Sequence, residues 1–385
     1  MYPLGLSGTA VWRRPGYNGG MADQRPTRRD FLRGRAALGA AADAVEASID
    51  SVVGQETKET PKPLERSQVL VMSRRAMACE FELRLNTRHQ RHDTEAGMAA
   101  LDLVEQLEDQ LTVYRQTSEL IEINRVAAKV AMPVEAELFG LLQLCDRLHG
   151  ETDGAFDLTV GPLSRVWGFS KRQGAVPEEA DRAEALDRVG WRHVRLDSEE
   201  QTVRFLRDGV DLNVNSIGKG YALDRAGRLL GEWGVNESLM HGGSSTLLAR
   251  GDNKSQPDGG WLAGVRNPLR PAEHLAQFTL RDEALSTSGA GTQFFEHEGK
   301  RFGHLIDPRT GWPAEGLYSA TVIAPTAAEA DALSTACYLL GVEGTERLCG
   351  RRAELKALLV APSESGEPRV HAFNLDQTDW SPKGT

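Results

Sequence analysis

The chain has few cysteines, no long apolar run and no excess of basic residues. Four of its 385 residues are cysteine, and they form neither a CxxC nor a paired CxxH motif. This disfavours a disulfide framework or a thiolate metal centre and predicts buried thiols. No apolar run of about 18 residues occurs, so the sequence predicts no transmembrane segment. With 45 Lys and Arg against 55 Asp and Glu, the formal net charge is −10, which disfavours nucleic acid as a partner.

The first 66 residues differ in composition from the rest of the chain. Arg, Gly and Ala dominate up to residue 42, and a charged, proline-containing linker follows at 56–66. We therefore expect a disordered tail over residues 1–66. Within it, the run TRRDFLR at 27–33 resembles a twin-arginine export signal, but the alanine-rich run after it is short and is broken by Asp43. Export to the periplasm and a cytoplasmic location therefore both stay open.

Residues 67–374 have the pattern of one unit that mixes helices and strands, and 375–385 are expected to form a C-terminal tail. Apolar positions at helical spacing predict helices over 95–114, 135–149 and 218–233, and another around Asp331. Strict alternation of strand and helix is absent. The predicted fold class is therefore α+β, with mixed or antiparallel sheets and packed helices. The predicted strands are 79–85, 193–196, 202–206, 210–214, 238–241, 261–265, 277–280, 319–324 and 355–360.

Asp331 and Thr335 form the most informative pair in the chain. They are four residues apart on a predicted helix, so the carboxylate and the hydroxyl lie on one face and can reach a single hard cation. Two protein oxygens are a sparse set for Mg²⁺, which takes its other ligands from water, backbone oxygens or substrate phosphates. The pair therefore points to a nucleotide-like ligand. Taken alone, it also fits a surface Asp and a helix Thr that bonds back to the preceding turn.

Four further segments carry groups suited to chemistry. The run at 153–163 contains glycines that allow backbone to approach a ligand closely. The run at 213–224 passes from a predicted strand into a helix, where backbone N–H groups and the Lys219 ammonium can hold a diphosphate. A glycine pair lies at 242–243 and three hydroxyls lie at 286–288. The last three have simpler interpretations when taken alone, respectively a helix cap with a solvated lysine, a turn and a hydroxyl-rich loop.

Taken together and in this order, the segments resemble the FAD:protein FMN transferase family, the ApbE flavin transferases. The resemblance covers residues 77–360 and rests on the runs DGAFDLTVGPL, WGF, IGKGYALD, STSG, HLIDPRTGWP and VIAPTAAEADALSTA. It implies a single α+β catalytic unit that binds FAD as its substrate and uses Mg²⁺ to break the diphosphate. It further implies that FMN is attached to a Thr hydroxyl of an acceptor protein and that AMP is released.

The resemblance also assigns residues by matching positions. It makes Asp331, Thr335 and the Ser216 backbone carbonyl the metal ligands. His304, which opens the run HLIDPRTG, is the candidate for deprotonating the acceptor Thr, although alone it also fits a half-buried core histidine. The positions that match flavin-binding residues are Met77, Tyr114, Ala155, Phe156, Asp157, Lys219 and Ile306.

Several positions depart from the family pattern. The usual Met-Gly-Thr is Met77-Ala78-Cys79, Asn213 stands in place of an Asp, and Ser244 follows the glycine pair in place of another Asp. These departures keep two alternatives open. One is an FAD diphosphatase that passes the same phosphorus to water, and the other is a non-catalytic flavin-binding protein.

Overall fold

A computed structural model of the chain describes residues 68–382 except 88, 172, 257–258, 290, 292, 364–366 and 377–379. The tail predicted over 1–66, with its export-like motif at 27–33, lies outside the described residues. Within the described part, no helix is long and apolar enough to cross a membrane.

Helices and strands alternate irregularly along the chain. The helices are α1 (Gln90–Leu111), α2 (Glu119–Val126), α3 (Ala136–Glu151), α4 (Gly161–Val166), α5 (Glu179–Asp187), α6 (Gly218–Glu232) and α7 (Ala327–Arg351). The strands are β1 (Gln68–Ala76), β2 (Cys79–Thr87), β3 (Met132–Pro133), β4 (Val194–Asp197), β5 (Thr202–Phe205), β6 (Ser238–Gly242), β7 (Thr246–Arg250), β8 (Trp261–Arg266), β9 (His274–Leu280), β10 (Ala284–Ser288), β11 (Phe294–His297), β12 (Lys300–Gly303), β13 (Ser319–Ala324), β14 (Lys356–Ala361), β15 (Arg369–Phe373) and β16 (Trp380–Pro382).

An eight-stranded sheet with the order β1-β2-β6-β7-β10-β13-β14-β15 forms the centre of the fold. Every neighbouring pair in it is antiparallel. The other sheets have the orders β16-β9-β8 and β3-β5-β4, and β11 pairs with β12 as a ribbon. Antiparallel sheets with packed helices confirm the predicted α+β class.

The central strands carry continuous apolar runs because both of their faces are buried. In β13, all six residues are buried. One face of the sheet belongs to the main core with the helices, and Leu285 and Ile323 on the other face pack with Trp261 and Phe278 of the β8–β9 sheet. Strand β8 is buried only on alternate residues, as expected for a strand with one solvated face.

Helix α6 approaches the start of α7 closely, and this contact positions the residues described below. A Cβ built on Gly220 would lie 2.0 Å from the Ala327 carbonyl oxygen, so only glycine fits there. One turn later, the Asp224 carboxylate accepts the Ala327 and Ala328 backbone N–H groups at 2.8 Å each and caps α7. Burial raises the pKa of Asp224 to about 6. The two helices are therefore joined at a defined register.

Two predicted elements differ from the structure. The predicted strand at 210–214 is not a strand, because its backbone bonds do not join a neighbouring strand. Asn213 N donates to Leu158 O at 2.7 Å, and Leu212 N donates to the Asn124 side chain at 2.8 Å. Within the predicted C-terminal tail, residues 380–382 form β16, which pairs with β9.

The turn between β1 and β2 is strained. Ala76 and Cys79 pair across it, and the two residues between them, Met77 and Ala78, have φ values of 49° and 60°. Two-residue hairpin turns that need positive φ at both positions strongly favour Asn and Gly. An alanine in this conformation costs roughly 1–2 kcal/mol relative to glycine.

Replacing Ala78 by glycine should therefore stabilise the protein. We expect Ala78→Gly to raise the free energy of unfolding by about 0.5–1 kcal/mol, since the relief of strain exceeds the added chain entropy of the unfolded state. Urea denaturation measures this change. The matched control is Ala99→Gly in the middle of α1, where glycine should cost about 1 kcal/mol. Destabilisation by both variants would contradict a strained turn.

Candidate active site

One cavity of about 700 Å³ opens beside the β1–β2 turn, the start of α6 and the first turns of α7. Its volume lies within the range of roughly 300–1,000 Å³ that is typical of small-molecule sites. All of the residues predicted from the resemblance lie on its wall. These are Met77, Tyr114, Ala155, Phe156, Asp157, Ser216, Lys219, His304, Ile306, Asp331 and Thr335.

The Asp331 side chain is the polar centre of this wall. It is only 4% exposed, and its Oδ1 accepts the Thr246 and Ser286 hydroxyls at 3.1 and 3.2 Å. Its Oδ2 accepts the Gly220 backbone N–H at 3.1 Å. Asp331 is therefore not the surface Asp that its sequence pattern allowed. The donors on both oxygens hold the carboxylate in one orientation.

Lys219 forms an ion pair with this carboxylate, with its Nζ 3.3 Å from Asp331 Oδ1. Its side chain is 23% exposed, which contradicts a fully solvated lysine at a helix cap. The predicted backbone cradle for a diphosphate is wrong at two positions, because Gly218 N donates to Val214 O at 2.7 Å and Gly220 N donates to Asp331. Of the groups predicted there, the Lys219 ammonium lies at the cavity and is the one suited to a phosphate.

Thr335 lies one turn after Asp331 on the same side of α7. Its hydroxyl is 3.1 Å from Ser288 Oγ. The bond back to the preceding turn is made by its neighbour Ser334, which donates to the Asp331 carbonyl at 2.9 Å. The Ser-Thr-Ser run that contains Ser288 is strand β10 and not a loop, so its hydroxyls reach α7 from a fixed strand.

The donor set at this wall consists of oxygen atoms. Asp331 offers a carboxylate, Thr335 a hydroxyl and Ser216 a backbone carbonyl, and all three residues line the cavity. Among the described residues there is no group of three or more His, Cys, Asp or Glu side chains that could hold a metal ion. A few hard oxygen ligands beside an open cavity fit Mg²⁺, which keeps positions for water and phosphate, and do not fit zinc.

His304 lies on the cavity wall with its protonation pattern fixed by one neighbour. Its Nδ1 is 3.2 Å from the Gln293 carbonyl oxygen, which can only accept, so Nδ1 carries the proton and Nε2 keeps a lone pair. Burial and, to a smaller extent, the charge of Lys219 lower the pKa of His304. The ring is therefore neutral at neutral pH and available as a base.

The two aromatic residues predicted to contact flavin lie in different places. Tyr114 is 65% exposed at the rim, whereas Phe156 is 1% exposed and belongs to the main core. The Tyr114 ring is therefore open to a ligand, and the Phe156 ring is not. Phe156 supports the wall from behind.

The Asp157 carboxylate is occupied within the protein. Its Oδ1 accepts the Thr159 backbone N–H at 2.7 Å, and its Oδ2 accepts the Trp191 backbone N–H at 3.0 Å. The same Oδ2 lies 3.3 Å from His149 Nδ1. Burial lowers the pKa of His149, but the hydrogen bond and charge of Asp157 outweigh burial and raise it. Asp157 thus shapes the wall by holding its loop.

The departures from the family pattern affect the cavity little. Cys79 packs against Gly243, and burial raises the pKa of its thiol. Ser244 is exposed. Asn213 does line the cavity, and its Oδ1 accepts the Asn215 N–H at 3.0 Å, a bond that an Asp oxygen would also make.

Sequence reasoning missed the two hydroxyls that hold Asp331. The sequence places Ser286 in a hydroxyl run without indicating this role, and Thr246 belongs to no motif. Both are fully buried. The signal that could have found them is a Ser or Thr within a central strand, where a buried hydroxyl needs a partner.

Comparisons with known proteins show the family of the chain. The model of the ApbE family matches residues 77–359. An FAD:protein FMN transferase of Escherichia coli (strain K12) is 31% identical over 311 residues, which cover 78% of this chain and 86% of the relative. Another of Treponema pallidum is 31% identical over 274 residues, with 68% and 76% covered.

Solved structures show the same fold. The ApbE protein from Thermotoga maritima superimposes with a TM-score of 0.70 at 27% identity, covering 78% of this chain and 96% of that one. The apo form of the Pseudomonas stutzeri flavinyl transferase ApbE gives a TM-score of 0.69 at 27% identity, covering 80% and 98%. From the family match, the curated relatives and the shared fold together, we conclude that the chain belongs to the ApbE family.

Proposed function

We propose that the chain is a Mg²⁺-dependent FAD:protein FMN transferase that attaches FMN to a Thr hydroxyl of an acceptor protein and releases AMP. The relatives that carry this name support the flavin transfer. The observation that carries the finer proposal is the convergence on one cavity of the Lys219–Asp331 pair, the Thr335 hydroxyl and the neutral His304 ring. These groups supply a cation, oxygen ligands for a metal and a base.

The reaction is a phosphoryl transfer. The acceptor Thr oxygen attacks the phosphorus on the FMN side of the diphosphate, and the bond from that phosphorus to the bridging oxygen breaks. The Thr proton passes to His304 Nε2, and the bridging oxygen leaves as part of AMP. Phosphoryl transfer depends mainly on positioning and charge stabilisation, which matches a wall with few but fixed polar groups.

Asp331, Thr335 and the Ser216 carbonyl would hold Mg²⁺, which when bound neutralises charge that develops on the diphosphate. The ammonium of Lys219 contributes a second positive charge from the opposite helix, α6. Among the described residues, the Lys219 ammonium pairs with the Asp331 carboxylate. A phosphate that enters the cavity would share the ammonium with Asp331.

We expect Lys219→Ala to weaken FAD binding by about 1.5–3 kcal/mol, the range for a hydrogen bond to a charged group. This corresponds to an increase in the dissociation constant of roughly 10- to 150-fold, and calorimetry measures it. Lys356→Ala is the matched control, since Lys356 forms a similar half-buried ion pair with Glu283 at 3.0 Å on β14. An unchanged dissociation constant for the Lys219 variant would leave this lysine with a structural role only.

Nucleotide products distinguish the proposal from its alternatives. Two incubations with FAD and Mg²⁺ are compared, one with a Thr-containing acceptor and one without. With the acceptor, the amount of AMP released should match the amount of FMN bound to protein. Free FMN with AMP at the same rate in both reactions would indicate an FAD diphosphatase. Unchanged FAD would indicate a flavin-binding protein without catalysis.

A further inference from the structure

A chain of hydroxyl groups runs behind the cavity wall between the central sheet and α7. It passes from Thr246 to Ser286 at 3.1 Å, to Ser334 at 3.4 Å, to Ser288 at 2.8 Å and to Thr335 at 3.1 Å. Thr246, Ser286 and Ser334 are completely buried, whereas Ser288 and Thr335 line the cavity. The proposed function uses only Thr335 from this chain.

The directions of these hydrogen bonds follow from the acceptors at one end. A hydroxyl has one proton, and a backbone carbonyl only accepts. Ser334 donates to the Asp331 carbonyl oxygen at 2.9 Å and, over a longer distance of 3.4 Å, to Ser286, so its proton is not directed at Ser288. The 2.8 Å contact between Ser288 and Ser334 then takes its proton from Ser288.

This leaves Ser288 without a proton for its second neighbour. The 3.1 Å contact with Thr335 therefore takes its proton from the Thr335 hydroxyl. With its proton directed at Ser288, Thr335 keeps its lone pairs for the cavity. A hydroxyl that binds a cation requires this arrangement, because the cation repels the hydroxyl proton and attracts the lone pairs.

We propose that Ser288 is a positioning residue for divalent-cation binding, which accepts the Thr335 proton and so orients the Thr335 hydroxyl as a metal ligand. The proposal rests on the metal site of the proposed function. Groups that orient metal ligands typically contribute 10- to 100-fold to metal affinity. Ser288 is suited to this role because it pairs with Ala320 of β13, while β7 pairs with β10 just before it, which fixes its position in the sheet.

Titration with Mn²⁺ alone tests the role of Ser288, since free Mn²⁺ gives an EPR signal that reports the bound fraction and Mn²⁺ accepts the same oxygen ligands as Mg²⁺. Ser288→Ala should raise the dissociation constant by roughly 10- to 100-fold. Ser288→Thr, which retains the hydroxyl on a strand, should restore binding to near the wild-type value. Thermal unfolding of each variant verifies that it is folded.

Ser319→Ala is the matched control. Ser319 lies on the neighbouring strand β13, is 6% exposed, and its hydroxyl has no hydrogen-bond partner among the described residues. Its removal should leave Mn²⁺ affinity unchanged. An equal loss in this variant would show that any buried serine of the sheet has the same effect, and would overturn the specific role of Ser288.

A double-mutant cycle separates an orienting role from direct ligation. If Ser288 acts through Thr335, Ser288→Ala should cause little further loss in a Thr335→Val background. A full additional loss, or wild-type affinity in Ser288→Ala alone, would overturn the proposal while leaving the metal site standing. Wild-type affinity in Asp331→Asn would instead contradict the metal site itself, so the two failures are distinguishable.

Discussion

Asp331→Asn is expected to abolish release of AMP from FAD, with a loss of roughly 10³-fold or more. Metal-assisted charge stabilisation contributes several kcal/mol, and about 1.4 kcal/mol corresponds to a factor of ten in rate. Asparagine is chosen over alanine because its amide oxygen can still accept the Thr246 and Ser286 hydroxyls that bond Asp331 Oδ1, and only the Gly220 N–H, which bonds Oδ2, loses its acceptor. Alanine would leave those donors without a partner and would also destabilise the fold.

Chelation provides the second half of this experiment. EDTA should stop turnover by the wild-type protein and should not change the residual rate of Asp331→Asn. Asp93→Asn serves as the control, since Asp93 is a buried carboxylate on α1 that accepts the Thr87 hydroxyl at 2.8 Å. Wild-type rates in Asp331→Asn, or rates indifferent to EDTA, would refute the assignment of the metal site.

His304→Ala should slow transfer of FMN to the acceptor by roughly 10²–10⁴-fold, the usual contribution of a positioned general base. Release of free FMN should fall much less, because water is present in excess. An equal loss in both reactions, with FAD binding unchanged, would make His304 part of the shared phosphoryl-transfer machinery. His371→Ala on β15, whose side chain is half-buried, controls for the loss of a histidine.

The protonation state of His304 sets the direction in which FMN transfer should change with pH. A base acts when it is neutral, and burial lowers the pKa of His304 from its ordinary value of 6.5. Wild-type transfer should therefore be constant at neutral pH and fall only as the pH drops through a value below 6.5. His304→Ala should lose this acidic limb. A limb that persists in the variant would show that another group titrates.

The sequence predicts the α+β class and most of the long elements because their apolar periodicity reflects burial directly. The sequence predicts the start of α1 at residue 95 although the helix begins at Gln90, since its first turn is polar. The expected strand at 210–214 has the composition of a buried strand, but its backbone N–H groups bond the Asn124 side chain and the Leu158 carbonyl. Hydrogen-bond partners of this kind depend on distant residues and are absent from local pattern.

At the candidate site too, the sequence predicts which residues take part but not the contacts between distant residues. Motifs identified Lys219, Asp331 and His304, and these residues meet at one cavity. Composition could not show that Asp331 is buried or that Thr246 holds it. The two residues are 85 positions apart along the chain and meet only in the folded structure. Nor could composition show that Gly220 is required by the close approach of the Ala327 carbonyl.

The most direct test of the proposed activity is to look for FMN covalently bound to protein. An extract of the source cells that lacks this gene product is incubated with the purified chain, FAD and Mg²⁺, then resolved on a denaturing gel and imaged for flavin fluorescence. The proposed function predicts a fluorescent band that depends on the chain and on Mg²⁺, with FMN mapped by mass spectrometry to a Thr of the acceptor. Consumption of FAD without any covalent flavin on protein would contradict it.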